Sequence, residues 1–288
     1  MKSLVQFIKE SIINEGGNAV TSNPIPAYIT PLLYKEIEDT ILKENPDIEM
    51  VPLGSVGKKN DDQFNGDIDI AIKIDSKKEL NELIDKVFPD LEKNPNTTSG
   101  IVSISYPYNK EGKSGNAQVD FMIVKNIDFA KFFYHSPNFK NNESKFKGAT
   151  RAKMLSIIVS CIPVEDVKDE YFEDGKTVKK HWKYTFNTEG VFRQLLDYTG
   201  KKGPLKNPKK IKEFEKLITN DPENCVKFIF GDNGKIEDFN SAESLWKAVH
   251  DKNKFKFQDV VKKIEDRWFG EIEELKDKRE FFENIWVL

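Results

Sequence analysis

Residues 66–75 read Gly-Asp-Ile-Asp-Ile-Ala-Ile-Lys-Ile-Asp, and this stretch decides the fold of the first half of the chain. Its isoleucines occupy every second position, which predicts a β-strand with one buried face. Side chains two residues apart on a strand point the same way, so Asp67 and Asp69 project together from the opposite face. Because neighbouring carboxylates repel each other unless a cation lies between them, this face is a candidate metal site.

The sequence on either side of this strand predicts an α/β unit. One amphipathic helix is predicted over 28–45, where Pro46 ends it, and a second over 77–87. Short strands are predicted at 50–53, 100–106 and 117–124. The order helix-strand-strand-helix-strand-strand is that of an α/β unit.

The second half of the chain is predicted to be mainly helical, which makes the whole an α/β (α+β) protein. Its predicted helices are one that Ser144 caps and those over 191–198, 211–218, 241–249 and 257–286. One β-hairpin is predicted around the Asp174-Gly175 turn. We therefore divide the chain into an N-terminal segment (1–20), a core domain (21–140) and a mainly helical domain (141–288).

Composition narrows the class of protein. The 288 residues include 45 Lys and Arg against 48 Asp and Glu, a formal net charge of −3, which excludes a uniformly basic nucleic-acid binder. The two cysteines lie far apart, which excludes a disulfide scaffold and favours a reducing, cytoplasmic location. No apolar run approaches the ~18 residues of a membrane helix, so we expect no membrane partner. For the lysine cluster within 201–216, a solvated linker and a contact to an RNA backbone both stay open.

Two further features strengthen the metal-site prediction. Asp120 shares a strand face with Gln118, so its carboxylate converges with Asp67 and Asp69 if the two strands are neighbours. Three carboxylate ligands on a rigid sheet suit Mg²⁺. Gly54-Ser55 follows a predicted strand and lies at a predicted helix start, where glycine lets a phosphate approach the backbone and free N–H groups bind its charge.

These motifs resemble those of the DNA polymerase β-like nucleotidyltransferase superfamily. The resemblance rests on Leu53-Gly54-Ser55, an eleven-residue spacer, Asp67-Ile68-Asp69-Ile70 and Val119-Asp120-Phe121, all within residues 51–124. It implies a nucleotidyltransferase core with a mixed, twisted sheet flanked by helices. In that core Asp67 and Asp69 would hold two Mg²⁺ ions, with Mn²⁺ as the alternative metal. It also implies that Asp120 completes the coordination of the ion near the attacking oxygen and accepts the proton of the acceptor hydroxyl. Gly54 and Ser55 would bind the triphosphate of an NTP substrate.

Basic residues near these motifs are candidates for the same triphosphate. Lys58 and Lys59 follow Gly57 in a loop, but the family pattern does not specify them, and a solvated loop is the alternative. Lys147 and Arg151 stand at the start of the helix that follows the core sheet, where basic residues of the similar proteins reach toward the triphosphate. An exposed helix face is the alternative for both.

The activity that this resemblance implies is Mg²⁺-dependent transfer of a nucleoside monophosphate from an NTP to a hydroxyl, with release of pyrophosphate. The acceptor stays open between an RNA 3′ end such as that of tRNA, a host protein and a small molecule, and we expect the domain at 141–288 to select it. A catalytically idle nucleotide-binding or virion structural protein with the same fold is the alternative. A DxD glycosyltransferase is a third option, which leaves Gly54-Ser55 unexplained.

The first fifteen residues allow two interpretations. Leu4, Ile8 and Ile12 have helical spacing, which predicts a short amphipathic helix packed on the body. The segment also resembles the capsid-targeting segments of internal head proteins of large tailed phages, which would be cut after Glu15. That resemblance implies a phage protein that is packaged in the virion head and acts in the host cytoplasm on a host RNA or protein.

Overall fold

The structure is a computed structural model that describes residues 19–94, 100–141, 143–144, 146, 148–171, 173, 175, 178–199, 209–252, 259–260 and 263. The predictions for residues 1–18, Lys147 and 201–208 lie outside the described residues, and so does most of the helix predicted over 257–286. The chain divides into two compact units, Met1–Ala149 and Thr150–Leu288, which we describe separately.

The first unit is organised around one five-stranded mixed sheet. Its helices are α1 (Thr30–Glu44), α2 (Lys77–Val87) and α3 (Ile127–Phe133). Its strands are β1 (Ile25–Pro26), β2 (Met50–Pro52), β3 (Phe64–Asn65), β4 (Asp67–Lys73), β5 (Lys93–Asn94), β6 (Ile101–Lys110) and β7 (Lys113–Val124). The sheet has the order β2-β4-β7-β6-β5, in which β4 and β7 run parallel and the other neighbours run antiparallel. The separate pair β1-β3 is also antiparallel.

The isoleucine face of β4 forms the centre of the core, as the alternation predicts. Ile68, Ile70 and Ile72 have no exposed surface and pack in one cluster with apolar residues of α1, α2, β6 and β7. Burying an isoleucine side chain contributes roughly 1.5–3 kcal/mol relative to leaving it in water. On the opposite face, a smaller cluster joins Ala71 of β4 to Ala130 of α3. The carboxylates of β4 therefore emerge at one end of a face that is otherwise partly covered.

The predicted α/β order of the first unit is confirmed, with longer strands than expected. β6 and β7 form a hairpin whose two-residue turn, Glu111-Gly112, has positive φ angles of 49° and 70°. Two successive positive φ angles are typical of the turn type that matches the twist of paired strands. The hairpin therefore extends well past the predicted ends of both strands.

The second unit contains a five-stranded antiparallel sheet beside its helices, although mainly helices were predicted. Its helices are α4 (Gly148–Cys161, which begins in the first unit), α5 (Pro222–Phe230) and α6 (Ala242–Asp251). Its strands are β8 (Glu170–Tyr171), β9 (Val178–Asn187), β10 (Gly190–Asp197), β11 (Lys209–Lys210) and β12 (Lys216–Thr219). Their order is β11-β10-β9-β8, with β12 also paired to β10. The mixed α/β class of the whole chain is confirmed, and so is the hairpin between β8 and β9.

Two helix predictions in this unit are wrong. Residues 191–198 belong mostly to β10, which is central in its sheet and buried over most of its length. A central strand needs apolar residues on both faces and loses the alternation that would distinguish it from a helix. Residues 211–218 form a single 3-10 turn at Lys212–Phe214 and the start of β12. That strand exists because β10 offers it backbone partners, which no local pattern reveals.

The predicted cap of α4 is not formed by Ser144. Helix α4 begins at Gly148, and the Ser144 hydroxyl accepts the Phe146 N–H (2.9 Å).

In the part of the chain that the structure describes, every helix is too short or too polar to cross a lipid bilayer.

Candidate metal and nucleotide site

The parallel pairing of β4 and β7 brings three carboxylates together. In this register Asp69 lies directly beside Asp120, and Asp67 lies beside Gln118. One ligand oxygen from each of Asp67, Asp69 and Asp120 lies within 4.8 Å of the others, and all three side chains are partly exposed. Two carboxylates come from one strand and the third from its neighbour, so the backbone of the sheet sets their spacing.

The cluster carries an electrostatic cost in the absence of a cation. The pKa of Asp69 is raised to about 7, mainly by burial and further by the negative charges of Asp67 and Asp120. A group with this pKa holds a proton for part of the time at neutral pH. A divalent cation would remove both causes, because it supplies the opposite charge and replaces the lost water.

Gln118 lies against the third carboxylate. Its amide nitrogen donates to both oxygens of Asp120, at 3.0 Å each. Gln118 is 3% exposed, so this contact is shielded from water. The sequence predicts that Gln118 shares a strand face with Asp120, but it does not predict this contact.

The Gly54-Ser55 turn lies against the second carboxylate. The Leu53 N–H donates to the Asp69 carbonyl (2.8 Å), which ties the start of the turn to β4. Gly54 has φ +60°, and a Cβ at this position would lie 3.1 Å from Oδ2 of Asp69. Glycine is therefore required here both for the left-handed backbone and for the space beside the carboxylate.

No helix begins at this turn, in contrast to the prediction for residues 54–55. The Lys58 N–H donates to the Ser55 carbonyl (3.0 Å), which closes a single turn. The chain then continues as loop to β3. A phosphate at Gly54-Ser55 would therefore meet the N–H groups of a turn rather than those of a helix N-terminus.

A buried chain of hydrogen bonds supports this turn from below. The Ser55 hydroxyl donates to Oδ1 of Asn65 (2.7 Å), and Nδ2 of Asn65 donates to the Thr30 hydroxyl (3.1 Å). The Thr30 hydroxyl donates in turn to the Ala27 carbonyl (2.8 Å). The Ser55 proton is engaged in this arrangement, so a bond from Ser55 to a phosphate requires the hydroxyl to rotate away from Asn65.

The two loop lysines bind main-chain carbonyls of the first unit. Nζ of Lys58 donates to the Ser136 carbonyl (2.8 Å), and Nζ of Lys59 donates to the Phe64 carbonyl (2.7 Å). Each ammonium has three donors, so these bonds leave a phosphate contact stereochemically open. Their role at a triphosphate stays a prediction.

Arg151 is buried, whereas the sequence predicted a contact to the triphosphate, with an exposed helix face as the alternative. It is 1% exposed, and its Nε donates to the Phe239 carbonyl within the second unit. Burial lowers its pKa to about 10, which still leaves the guanidinium charged at neutral pH. The guanidinium is enclosed within the second unit and bound to its backbone. The assignment of Arg151 to the triphosphate is therefore corrected.

Two residues near the carboxylates and the turn were not predicted from the sequence. Tyr134, just after α3, is close enough to Asp69 that burial and that negative charge together raise its pKa to about 12. Asn65 supports Ser55, as described above, and is 2% exposed. Neither residue belongs to a recognisable motif, and only the packing of α3 and β3 reveals them.

Comparisons with known proteins give fold-level similarity only. No protein-family model matches the chain, and no curated protein matches it. Among solved structures, the chain is similar to polymerase beta of Leishmania infantum in a ternary P/T complex, with 15% identity, a TM-score of 0.44 and coverage of 82% of this chain and 83% of that one. It is also similar to the same polymerase in a ternary gap complex, with 14% identity, a TM-score of 0.45 and coverage of 82% and 74%. Identities this low do not establish membership of a family.

Proposed function

We propose that this protein is a divalent-cation-dependent nucleotidyltransferase, which moves a nucleoside monophosphate from an NTP to a hydroxyl acceptor. The observation that carries the proposal is the convergence of three carboxylates within 4.8 Å, next to a left-handed glycine turn that approaches one of them. Carboxylates alone occur on many surfaces. Their combination with an open backbone turn suits a substrate that is both metal-bound and phosphorylated.

The donor set fits Mg²⁺ or Mn²⁺. Asp67, Asp69 and Asp120 offer only oxygen ligands. The raised pKa of Asp69 reflects burial and, after it, the negative charges of Asp67 and Asp120, which a cation would balance. When bound, the metal would lower the pKa of the acceptor hydroxyl and stabilise the pyrophosphate that leaves.

The protein's own groups would bind and orient the reactants. The acceptor oxygen forms a bond to the α-phosphorus of the NTP while the bond from that phosphorus to pyrophosphate breaks. The proton of the acceptor hydroxyl goes to a carboxylate, and Asp120 is the candidate that the resemblance to the polymerase β-like motifs implies. The missing side chain at Gly54 leaves room for a phosphate beside Asp69.

A transfer assay tests this proposal and identifies the acceptor. The full chain is incubated with each α-³²P-labelled NTP, with Mg²⁺ or Mn²⁺ and a cell lysate, which is then separated into RNA, protein and small molecules. We expect label in one fraction, dependent on the added metal. A parallel incubation uses nucleotide sugars that carry a ¹⁴C-labelled sugar. Transfer of that sugar with none from an NTP would overturn the proposal in favour of a glycosyltransferase. No turnover of any NTP with any fraction would overturn it in favour of an idle nucleotide-binding protein.

The matched variants are Asp67→Ala/Asp69→Ala and, as a control, Asp75→Ala. Asp75 is exposed just beyond the end of the same strand. We expect the double variant to lose activity by roughly 10³-fold or more, since bound metal supplies much of the transition-state stabilisation. Asp75→Ala should keep full activity. Circular dichroism checks that both variants are folded, and retained transfer by a folded double variant would contradict the assignment.

A further inference from the structure

The segment Ala19–Asn23, which we call the strap, crosses strands of the five-stranded sheet next to the carboxylates. The Ser105 hydroxyl donates to the Thr21 carbonyl (2.5 Å), and Nδ2 of Asn94 donates to the Ala19 carbonyl (3.0 Å). At the far end, Asn23 and Asn116 exchange two bonds, from the Asn23 N–H to the Asn116 carbonyl (2.8 Å) and from the Asn116 N–H to Oδ1 of Asn23 (3.1 Å). These contacts hold the strap to β5, β6 and β7.

One further contact links the strap to the acidic cluster. The Ala19 N–H donates to Oε1 of Gln118 (2.9 Å), while Nε2 of the same amide donates to both oxygens of Asp120. We propose that the strap fixes the orientation of the Asp120 carboxylate through Gln118, which makes Gln118 a positioning residue for the metal-binding carboxylates. The role of this contact in catalysis, as distinct from metal binding, rests on the proposed function.

The Gln118 amide can satisfy Asp120 and Ala19 together in only one orientation. If the amide turned over, Oε1 would face the negatively charged oxygens of Asp120 and Nε2 would face the Ala19 N–H, another donor. Both contacts would become repulsive. The Asp120 carboxylate and the Ala19 N–H therefore both favour this orientation of the amide, and the bond from Ala19 anchors Gln118 to the strap.

A neutral amide also suits this position electrostatically. Gln118 lies beside Asp67 in the register of β4 and β7, and beside Ser105 in β6. A cationic side chain there would neutralise part of the negative charge that a metal needs. An amide donates hydrogen bonds to Asp120 and leaves the total charge of the cluster unchanged.

Binding of Mn²⁺ to the full chain, measured by electron paramagnetic resonance, tests this inference without relying on activity. We expect Gln118→Leu to raise the Kd by about 10-fold or more, the effect typical of losing a residue that supports a metal ligand. Ala19→Pro removes the N–H at this position and should raise the Kd in the same direction by several-fold. Ala19→Ser, which keeps the N–H, and Gln63→Leu at an exposed glutamine should leave it unchanged.

The combination of variants decides whether the strap acts through Gln118. If it does, Ala19→Pro/Gln118→Leu binds Mn²⁺ no more weakly than Gln118→Leu alone, because Gln118→Leu already removes the link between the strap and Asp120. Losses that multiply, or an unchanged Kd in Ala19→Pro, would overturn the inference. If proline distorts the strap, a chain lacking residues 2–22 is compared with one lacking residues 2–15: only the first should bind Mn²⁺ more weakly, and equal binding overturns the inference.

Failure of the inference and failure of the proposed function give different results. If Asp67→Ala/Asp69→Ala binds Mn²⁺ as tightly as the unchanged chain, the proposed metal site itself is wrong. If the variants of Ala19 and Gln118 behave as expected but no NTP is consumed, the positioning role stands and the nucleotidyltransferase proposal fails.

Discussion

The two units each bury charge, but in opposite ways. In the first unit, three carboxylates of the same sign share one end of a sheet face, and burial together with the charges of Asp67 and Asp120 raises the pKa of Asp69 to about 7. In the second unit, Arg151 is 1% exposed and its Nε donates to the Phe239 carbonyl. The buried guanidinium therefore has a backbone acceptor of opposite polarity, whereas the three carboxylates repel one another in the absence of a cation.

This difference separates a structural charge from a functional one. A buried charge with a polar partner stabilises the fold as long as the partner is kept. A cluster of like charges destabilises the fold in isolation and is explained by what it binds. Arg151 and the acidic cluster should therefore respond to substitution with opposite signs.

The largest expected effect is on the arginine. Arg151→Ala leaves a cavity and removes a buried bond to the Phe239 carbonyl, so we expect it to lower the free energy of unfolding by about 3–5 kcal/mol. Urea denaturation measures this loss, with Lys153→Ala, at an exposed position of the same helix, as the control. A loss below about 1 kcal/mol would mean that the buried guanidinium does not stabilise this unit.

The acidic cluster should show the opposite sign. Asp69 in the folded chain keeps its proton up to a pKa of about 7, whereas in the unfolded chain it releases it near 3.8. The folded state then binds more protons between these values, so its stability from this group is full below pH 4 and is lost as the pH rises to about 7.

We therefore expect Asp69→Asn to be more stable than the unchanged chain at pH 8 in EDTA, by on the order of 1–3 kcal/mol, and the gain to shrink toward pH 4. Urea denaturation of both proteins across this pH range measures it. Added Mg²⁺ should stabilise only the unchanged chain and reverse the order at pH 8. An Asp69→Asn chain that is less stable at every pH would contradict the electrostatic account.

The smallest expected effect is that of replacing Gly54, in the turn beside Asp69, by alanine. Gly54→Ala places a Cβ 3.1 Å from Oδ2 of Asp69 in a backbone with φ +60°. The left-handed backbone alone costs about 1–2 kcal/mol for alanine. Gly112, with φ +70° and nothing within 4 Å of an added Cβ, provides the matched control. We expect both variants to lose stability, and only Gly54→Ala to bind Mn²⁺ more weakly; equal binding would separate the turn from the metal site.

The prediction of the first unit succeeded because local patterns there coincide with tertiary ones. The alternating isoleucines of β4 face the core on one side and leave Asp67 and Asp69 on the other, which follows from the two-residue period of a strand. Helix α2 begins where Ser76 accepts the Glu79 N–H, a cap that can be predicted from the residue type. In the second unit, by contrast, β10 is buried over most of its length, so its sequence carries no such period.

The residues of the candidate site likewise fall into those that motifs predict and those that only tertiary contacts reveal. Asp67, Asp69, Asp120 and Gly54 belong to motifs with a definite spacing, and the structure brings them together. Arg151 matched its predicted role only in charge and position along the chain, and its burial could not be foreseen because it depends on Phe239, which is distant in sequence. Gln118, Asn65 and the strap are also absent from any motif, since their contacts span many residues.

The sequence by itself determined the strand that carries the paired carboxylates, because a period of two needs no partner to be recognised. Only the tertiary structure decided that β7 lies parallel to β4 with Asp120 beside Asp69, and that Ala19 reaches Gln118. The physical reason is that side-chain direction is a local property of the backbone, whereas strand register and burial are set by contacts between distant parts of the chain.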